Sequence, residues 1–267
     1  MTDTLVRSRF QEKHVDADGF HIRYLEAGSG PPLIWMHTAG GLRLSRAHEL
    51  LAEKYRVIAF EAPGYAPGQP NQRSRSLADL GSILVKAANS LGLDRFNLWG
   101  TSFGGALALW TTIAFPQSVE TLILDGPGAI QPPGGFPDVR TPEELHQYLH
   151  AHPERHTPAP RLDPDLLDQR RALLERVNSE SREQVEARMA EVNVPTLVMF
   201  GTSDRLTPPE LGRIYREKIP RCHLVLLYDA SHDAAGDRPE AFASLVSDFL
   251  ERGEAFIVTQ KSSLLNP

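Results

Sequence analysis

Six short apolar runs with almost no polar interruption constrain this chain more than any other feature: LIWM (33–36), RVIAF (56–60), FNLW (96–99), LIL (122–124), TLVMF (196–200) and HLVLL (223–227). A strand with one face in water alternates apolar and polar residues. A strand buried on both faces does not, and two-sided burial is the condition of a parallel sheet. Amphipathic stretches stand between most of the runs, at about 45–54, 77–91, 103–114, 209–218 and 239–251. Strand and helix alternating in this way predict an α/β fold with a mostly parallel, doubly wound sheet. Asp237-Arg-Pro-Glu240 reads as the start of the last helix, an N-cap with an acid three residues on.

Two regions depart from this rhythm. FQEKHVDADGFHIRYLEAG (10–28) alternates about Asp18-Gly19, a pair suited to the positive φ angles of a tight turn, so an antiparallel hairpin precedes the parallel strands. Further on, nine of the 21 prolines fall between Pro127 and Pro164. Charged helical stretches follow around 141–151 and 165–190, and the strand pattern resumes only at Val194-Pro195-Thr196. The expectation is a core of residues 1–128 and 192–267 that carries a helical cap of 129–191. With 12 Asp or Glu, eight Arg and no Lys, that cap is not built to bind a polyanion.

In LWGTSFGGALALW (98–110) a buried strand ends near Gly100 and an apolar helix starts near Phe103, which leaves almost no loop. Ser102 must then adopt a strained, positive-φ backbone. Neighbouring backbones pass so closely that only residues lacking Cβ fit at 100 and 104. The strain secures an exposed hydroxyl at the carboxyl end of the sheet, beside the positive end of a helix and the Phe103 N–H. A serine hydroxyl is a weak nucleophile until a base takes its proton, and that base needs a third group to orient it. Asp204, in MFGTSDRLTPPE, lies just past one buried run, and His232, in LLYDASHDAAGDRPE, lies just past the next, 28 residues later. Both fall at the carboxyl edge of the sheet, where open α/β folds bind ligands. Asp125, which ends LILD, is a rival acid one strand earlier; Asp229 and Asp233 read as turn residues.

With Ser102, Asp204 and His232 so placed, the chain resembles the α/β-hydrolase superfamily over nearly its full length, as a cap-bearing serine hydrolase. The likeness rests on GTSFGG as nucleophile elbow, GTSDRLTP as acid loop and ASHDAAGDRPEAF as histidine loop, with LIWMHTAGG and EAPGYAPGQP in support. It implies a catalytic triad of Ser102, His232 and Asp204, with no metal and no cofactor. It also implies an oxyanion hole made by the backbone N–H groups of Ala39 and Phe103. The family usually has glycine after the histidine that is His37 here. This chain has Thr38, a β-branched residue that narrows the backbone options and brings a hydroxyl to the hole. Glu61 stands where the family commonly has Asp and is read as structural. Serine at 102 separates the chain from dehalogenase and epoxide-hydrolase relatives, which have Asp there.

The expected reaction is hydrolysis of a carboxylic ester or lactone of a small to medium apolar substrate through an acyl-enzyme. The resemblance offers an alternative, C–C bond hydrolysis of a vinylogous diketone (a ketone substrate) from aromatic ring cleavage. Enzymes of that group commonly carry Asn-Ser-Met at the elbow and a Trp after the histidine, where this chain has Thr101, Phe103 and Asp233. A third reading is a ligand-binding receptor that retains the triad.

A net charge of −6 speaks against nucleic acid or an anionic membrane as partner, and no apolar run reaches the roughly 18 residues of a membrane span. The opening residues lack a secretory apolar stretch and Cys222 is the only cysteine, so a cytoplasmic protein without an internal disulfide is expected. Cys222, Trp35 and Trp99 read as core. His146, His150, His152 and His156 read as a solvated face rather than a metal site, because Gln147 stands where a zinc-protease motif has its base. FIV (256–258) is expected to pack on the body; the other reading, packing on a second copy, leaves a homodimer open.

Overall fold

The structure, a computed structural model, describes residues 9–256 other than 140 and 179, so the first eight residues and positions 257–258 lie outside it. Its strands are β1 (Gln11–Ala17), β2 (Phe20–Ala27), β3 (Pro32–Met36), β4 (Arg56–Phe60), β5 (Phe96–Thr101), β6 (Val119–Asp125), β7 (Thr196–Gly201) and β8 (Cys222–Leu227). They form one sheet in the order β1-β2-β4-β3-β5-β6-β7-β8. Asp18 and Gly19, with φ of 50° and 79°, make the tight turn between β1 and β2. β2 runs antiparallel to β1 and β4, and the remaining pairs are parallel. This is the expected doubly wound sheet with an N-terminal antiparallel hairpin.

The helices are α1 (Arg46–Leu51), α2 (Leu77–Ser90), α3 (Phe103–Ala114), α4 (Pro142–Leu149), α5 (Pro164–Val177), α6 (Arg182–Arg188), α7 (Gly212–Lys218), α8 (Ala234–Asp237) and α9 (Pro239–Arg252). They cover both faces of the sheet. Ile34, Ile58, Leu98, Leu122 and Val198 join one core with Leu80 and Leu84 of α2 and Leu107 of α3. Their chain neighbours Leu33, Val57, Trp99, Ile123 and Leu197 join the other with Leu51 of α1 and Phe242 and Phe249 of α9. Both faces of β3, β4, β5, β6 and β7 therefore meet apolar side chains, which is why their runs carry no polar alternation; β8, at the edge of the sheet, leaves Leu226 exposed. Fully burying one such side chain stabilises the fold by roughly 1.5–3 kcal/mol. Trp35 and Trp99 belong to this second core, as expected. Cys222 is buried too, and burial pushes its thiol up to about 12. Phe256 packs against Phe249 and His223, on the body of the chain.

Two local expectations are corrected. Asp237 does not cap α9: Arg238 holds the N-cap position and Pro239 the first helical one, which needs no N–H partner. The Asp237 carboxylate instead accepts the N–H groups of Ser231 (2.7 Å) and Ala151 (2.9 Å), donors that come from folding and not from sequence neighbours. The helical stretch at 165–190 divides into α5 and α6. Asn178 ends the first, and Ser181 opens the second by accepting the Gln184 N–H while Gln184 reaches back to the Ser181 N–H.

From β3 the chain steps one way to β4 and then the other way to β5. Such a reversal opens a crevice beyond the carboxyl ends of the strands. The loops after β3, β5, β6, β7 and β8 therefore gather at one edge, and α4, α5 and α6 stand between β6 and β7 in the chain. Among the described residues no helix is long and apolar enough to cross a membrane.

Candidate active site

Between β5 and α3 a single residue makes the turn. Ser102 has φ 56° and ψ −117°, a positive φ that costs a non-glycine residue about 1–3 kcal/mol. Two backbone hydrogen bonds hold it there, from the Ser102 N–H to Asp125 O and from the Gly128 N–H to Ser102 O, each 2.9 Å. The glycines beside it do what close backbone approach demands. A Cβ on Gly100 would stand 2.1 Å from Gly104 O, and one on Gly104 would stand 2.0 Å from Met36 O. Ser102 is half-buried, and its hydroxyl has no hydrogen-bond partner among the described residues.

Asp204 and His232 meet from adjacent loops. His232 Nδ1 lies 2.9 Å from Asp204 Oδ2, with the two side chains 4% and 0% exposed. The other carboxylate oxygen, Oδ1, accepts the N–H groups of Leu206 (2.8 Å) and Thr207 (2.9 Å), so the aspartate shapes its own turn and orients the imidazole at once. A third residue joins them. Thr207 Oγ lies 2.7 Å from Asp204 Oδ2 and 3.1 Å from His232 Nδ1. The loop after β6 lies between this pair and the elbow: a Cβ on Gly126 would stand 3.2 Å from His232 Nδ1, and one on Gly128 3.4 Å from Ser102 O. The structure thus joins Asp204 to His232 but does not hydrogen-bond His232 to Ser102.

Asp125, the rival acid, does not pair with the histidine. It is fully buried, accepts the Thr101 hydroxyl at 3.3 Å through one oxygen and leaves the other without a partner. Burial drives its carboxyl well above the usual carboxylate range, and the nearby charge of Asp233 adds to the effect.

The expected oxyanion donors carry unengaged backbone N–H groups: neither Ala39 nor Phe103 donates to a described residue. The Thr38 hydroxyl accepts the Gly40 N–H at 3.2 Å, so it helps to turn its own loop. His37 fixes that loop to the next one. Its Nδ1 bonds Thr38 O at 2.6 Å, and its Nε2 accepts the Ala62 N–H at 2.9 Å, which sets the tautomer. Burial brings this imidazole down to about 4, so it stays neutral at physiological pH.

Sequence reasoning missed three contributors. Arg170 of α5 reaches across to the loops after β3 and β4, donating to Tyr65 O (3.2 and 2.9 Å) and to Gly40 O (3.1 Å). Ser231 donates its hydroxyl to Tyr148 O at 2.8 Å, and so ties the His232 loop to α4. Thr207 is the one with a visible signal, a hydroxyl three residues after an aspartate that begins a turn.

Of the four histidines expected on a solvated face, only His152 and His156 are partly exposed. His146 and His150 are buried. His150 and His156 stack at 3.8 Å between ring centroids and both address Asp237 Oδ1, while His152 pairs with Asp229 at 2.7 Å. Their partners lie 77 and 87 residues away for His152 and His150, too far for any local pattern to reveal. Asp229, at φ 58°, and Asp233, which caps α8, are turn residues as expected. A cavity of about 390 Å³ opens in this seam, walled by residues that include His150, Ser203, Asp204 and Arg205.

A strained serine between a buried strand and an apolar helix, with a buried Asp–His pair at the same sheet edge, defines a class of hydrolase built on an eight-stranded mixed sheet. The chain belongs to the alpha/beta hydrolase family, whose sequence model matches residues 19–245. It is 29% identical over 253 residues to the 2-hydroxy-6-oxononadienedioate/2-hydroxy-6-oxononatrienedioate hydrolase 2 of Pseudomonas putida, covering 84% of this chain and 85% of that one. In fold it is similar to a meta-cleavage product hydrolase from Pseudomonas fluorescens (TM-score 0.75, 18% identity, 90% of this chain and 97% of that one). It is also similar in fold to the naproxen esterase of Bacillus subtilis (TM-score 0.71, 16% identity, 91% and 92%).

Proposed function

We propose that this chain is a serine-dependent hydrolase that cleaves a carbon–carbon bond in a vinylogous diketone derived from aromatic ring cleavage. The observation that carries the catalytic part is the buried contact between His232 Nδ1 and Asp204 Oδ2, which leaves Nε2 as the basic nitrogen. His232 takes the Ser102 proton, Asp204 holds the tautomer and stabilises the imidazolium, and the Ala39 and Phe103 N–H groups receive the oxyanion. Residues 129–191 act as a cap over the site, anchored through Arg170 and Ser231. No metal or cofactor enters this reading.

The carbon–carbon assignment rests on the curated relative, whose name describes a 2-hydroxy-6-oxo dienedioate or trienedioate. Such a compound ketonises when its enol proton moves to carbon 5, through the same imidazole. The Ser102 oxygen, whose proton has passed to His232, then adds to the carbon 6 carbonyl, and collapse of that adduct breaks the bond between carbons 5 and 6. The electrons of that bond leave as a dienolate that takes the proton back from His232, and water hydrolyses the acyl-serine, supplying the second oxygen of the released acid.

Ester hydrolysis is the second reading, favoured by Phe103 and Asp233 at positions where ring-fission hydrolases commonly carry Met and Trp. Both substrates use the same residues up to carbonyl addition. Parallel assays of a ring-fission diketone and a p-nitrophenyl ester separate the two. Preferential bleaching of the diketone supports the first reading, and turnover of the ester alone replaces it with the second. Binding of either without turnover speaks for the receptor reading.

A further inference from the structure

We infer that Asp237 is a positioning residue for the base His232, and that through it the 148–156 segment and the His232 loop are held as one unit. The inference rests on the triad reading above. Asp237 ends α8, and its side chain is 2% exposed. Its carboxylate collects four donors from two distant stretches of chain. Oδ2 accepts the N–H groups of Ser231 (2.7 Å) and Ala151 (2.9 Å). Oδ1 faces His150 Nδ1 at 3.0 Å and His156 Nε2 at 3.1 Å. Burial by itself favours the neutral acid, but the hydrogen bonds from His150, His156, Ala151 and Ser231 outweigh it and hold the carboxyl well below the usual carboxylate range. The same carboxylate holds the His156 imidazole above its ordinary range. Hydrogen bonds to an ionised acceptor are roughly twice as strong as neutral ones, so this joint is a firm one.

The backbone on both sides of His232 is tied to the same segment. The last carbonyls of a helix find no partner within it. At the end of α4 two of them are taken by the histidine loop. The Ser231 hydroxyl donates to Tyr148 O and the Asp233 N–H donates to Leu149 O, each at 2.8 Å. Ser231 is also joined to the acid loop: its hydroxyl donates to Ser203 O at 3.2 Å, and the Ser203 N–H donates to Ala230 O at 2.9 Å. Asp237 completes the joint by drawing the Ser231 and Ala151 N–H groups onto one oxygen.

Among the described residues Asp237 makes no hydrogen bond with Ser102, His232 or Asp204. Its influence on the reaction therefore passes through the backbone of Ser231, next to the base. A shift of about 1 Å in a reacting group, caused far from the chemistry, costs up to about 100-fold in rate. Loosening the 148–156 segment moves His232 relative to the elbow, and so slows proton removal from Ser102 without touching the triad.

The test follows the rate at which a fluorophosphonate modifies Ser102 in the full chain. Asp237→Asn keeps the size of the side chain and removes its charge. It is expected to lower the rate about tenfold in the otherwise wild-type chain. In His232→Ala it leaves the already slow rate unchanged, because Asp237 acts only through that base. His156 is partly exposed, so its variants fold by circular dichroism even where Asp237→Asn does not. His156→Ala lowers the rate at least about threefold. His156→Gln, whose amide N–H takes the place of Nε2, restores it. With the substrate that the parallel assays select, the loss falls in kcat and KM changes little. An undiminished rate in folded Asp237→Asn or in His156→Ala overturns the inference and leaves the triad standing, as does an equal fractional loss in the His232→Ala background. An undiminished rate in His232→Ala itself removes the triad reading and the inference with it.

Discussion

His232 and Asp204 share a 2.9 Å contact in which neither side chain meets solvent, and Thr207 touches both partners. Because the aspartate's other oxygen is held by two backbone N–H groups, the carboxylate cannot turn away without losing its loop. The imidazole is thereby presented in one tautomer, with Nδ1 inward. A serine on the neighbouring turn needs such a base.

Thr207→Val removes a hydroxyl that steadies this pair and keeps the shape of the side chain. The loss of one buried hydrogen bond costs about 1 kcal/mol, and if it loosens the imidazole the turnover number falls about three- to tenfold with KM little changed. Thr207→Ser restores the rate. Steady-state kinetics on the three proteins checks this, and a Val variant with full turnover shows that the hydroxyl serves the fold alone.

Arg170 binds Gly40 O and Tyr65 O, so it sets the loop that carries the Ala39 N–H. Arg170→Met keeps the apolar stem and removes the fork, leaving two carbonyls without their donor. Removing an oxyanion donor outright costs on the order of 100-fold, and a misaimed donor is expected to cost about tenfold in kcat. Lysine does not reproduce the fork, so Arg170→Lys recovers only part of the rate. Equal kcat in all three, with a changed melting temperature, assigns Arg170 to stability.

Asp125 is buried with its carboxyl held above the usual range. The unfolded chain ionises it near pH 4 while the folded chain keeps the proton, so its contribution to stability is full below that pH and is lost as pH rises. Asp125→Asn cannot titrate. Its unfolding free energy relative to wild type therefore increases between pH 4 and pH 8, as measured by urea denaturation. A difference that is flat with pH contradicts a buried neutral carboxyl.

His37 has the opposite sign. Burial brings it from 6.5 to about 4, so the folded chain resists a proton that the unfolded chain accepts. Its contribution is present above pH 6.5 and disappears as pH falls, amounting to on the order of 3 kcal/mol by pH 4. His48, brought to about 3 by burial, acts in the same direction. In the Asp125→Asn variant, which removes the opposing titration, urea midpoints that drop between pH 7 and pH 4.5 meet this expectation; constant midpoints do not.

Much of this was legible because it depends on local pattern. Two-sided burial writes continuous apolar runs, and a strand that passes straight into a helix requires glycine at 100 and 104. Asp204 and His232 each follow such a run, which puts them at one edge before any contact is known. The fate of Asp237 was not legible, since its partners come from residues 151 and 231 and outcompete the local capping role. The histidines were misread for a similar reason: spacing along α4 says nothing of the aspartates brought to them by the core. Arg170 reaches loops 105 and 130 residues away, a reach that no periodicity encodes.

The rate at which a fluorophosphonate modifies Ser102, followed by intact mass and peptide mapping, tests most directly whether His232 activates that hydroxyl. We expect one adduct on Ser102 in the wild-type chain, none in Ser102→Ala, and a rate at least about 100-fold lower in His232→Ala. Labelling of another residue, or an undiminished rate in His232→Ala, contradicts the proposed catalytic arrangement.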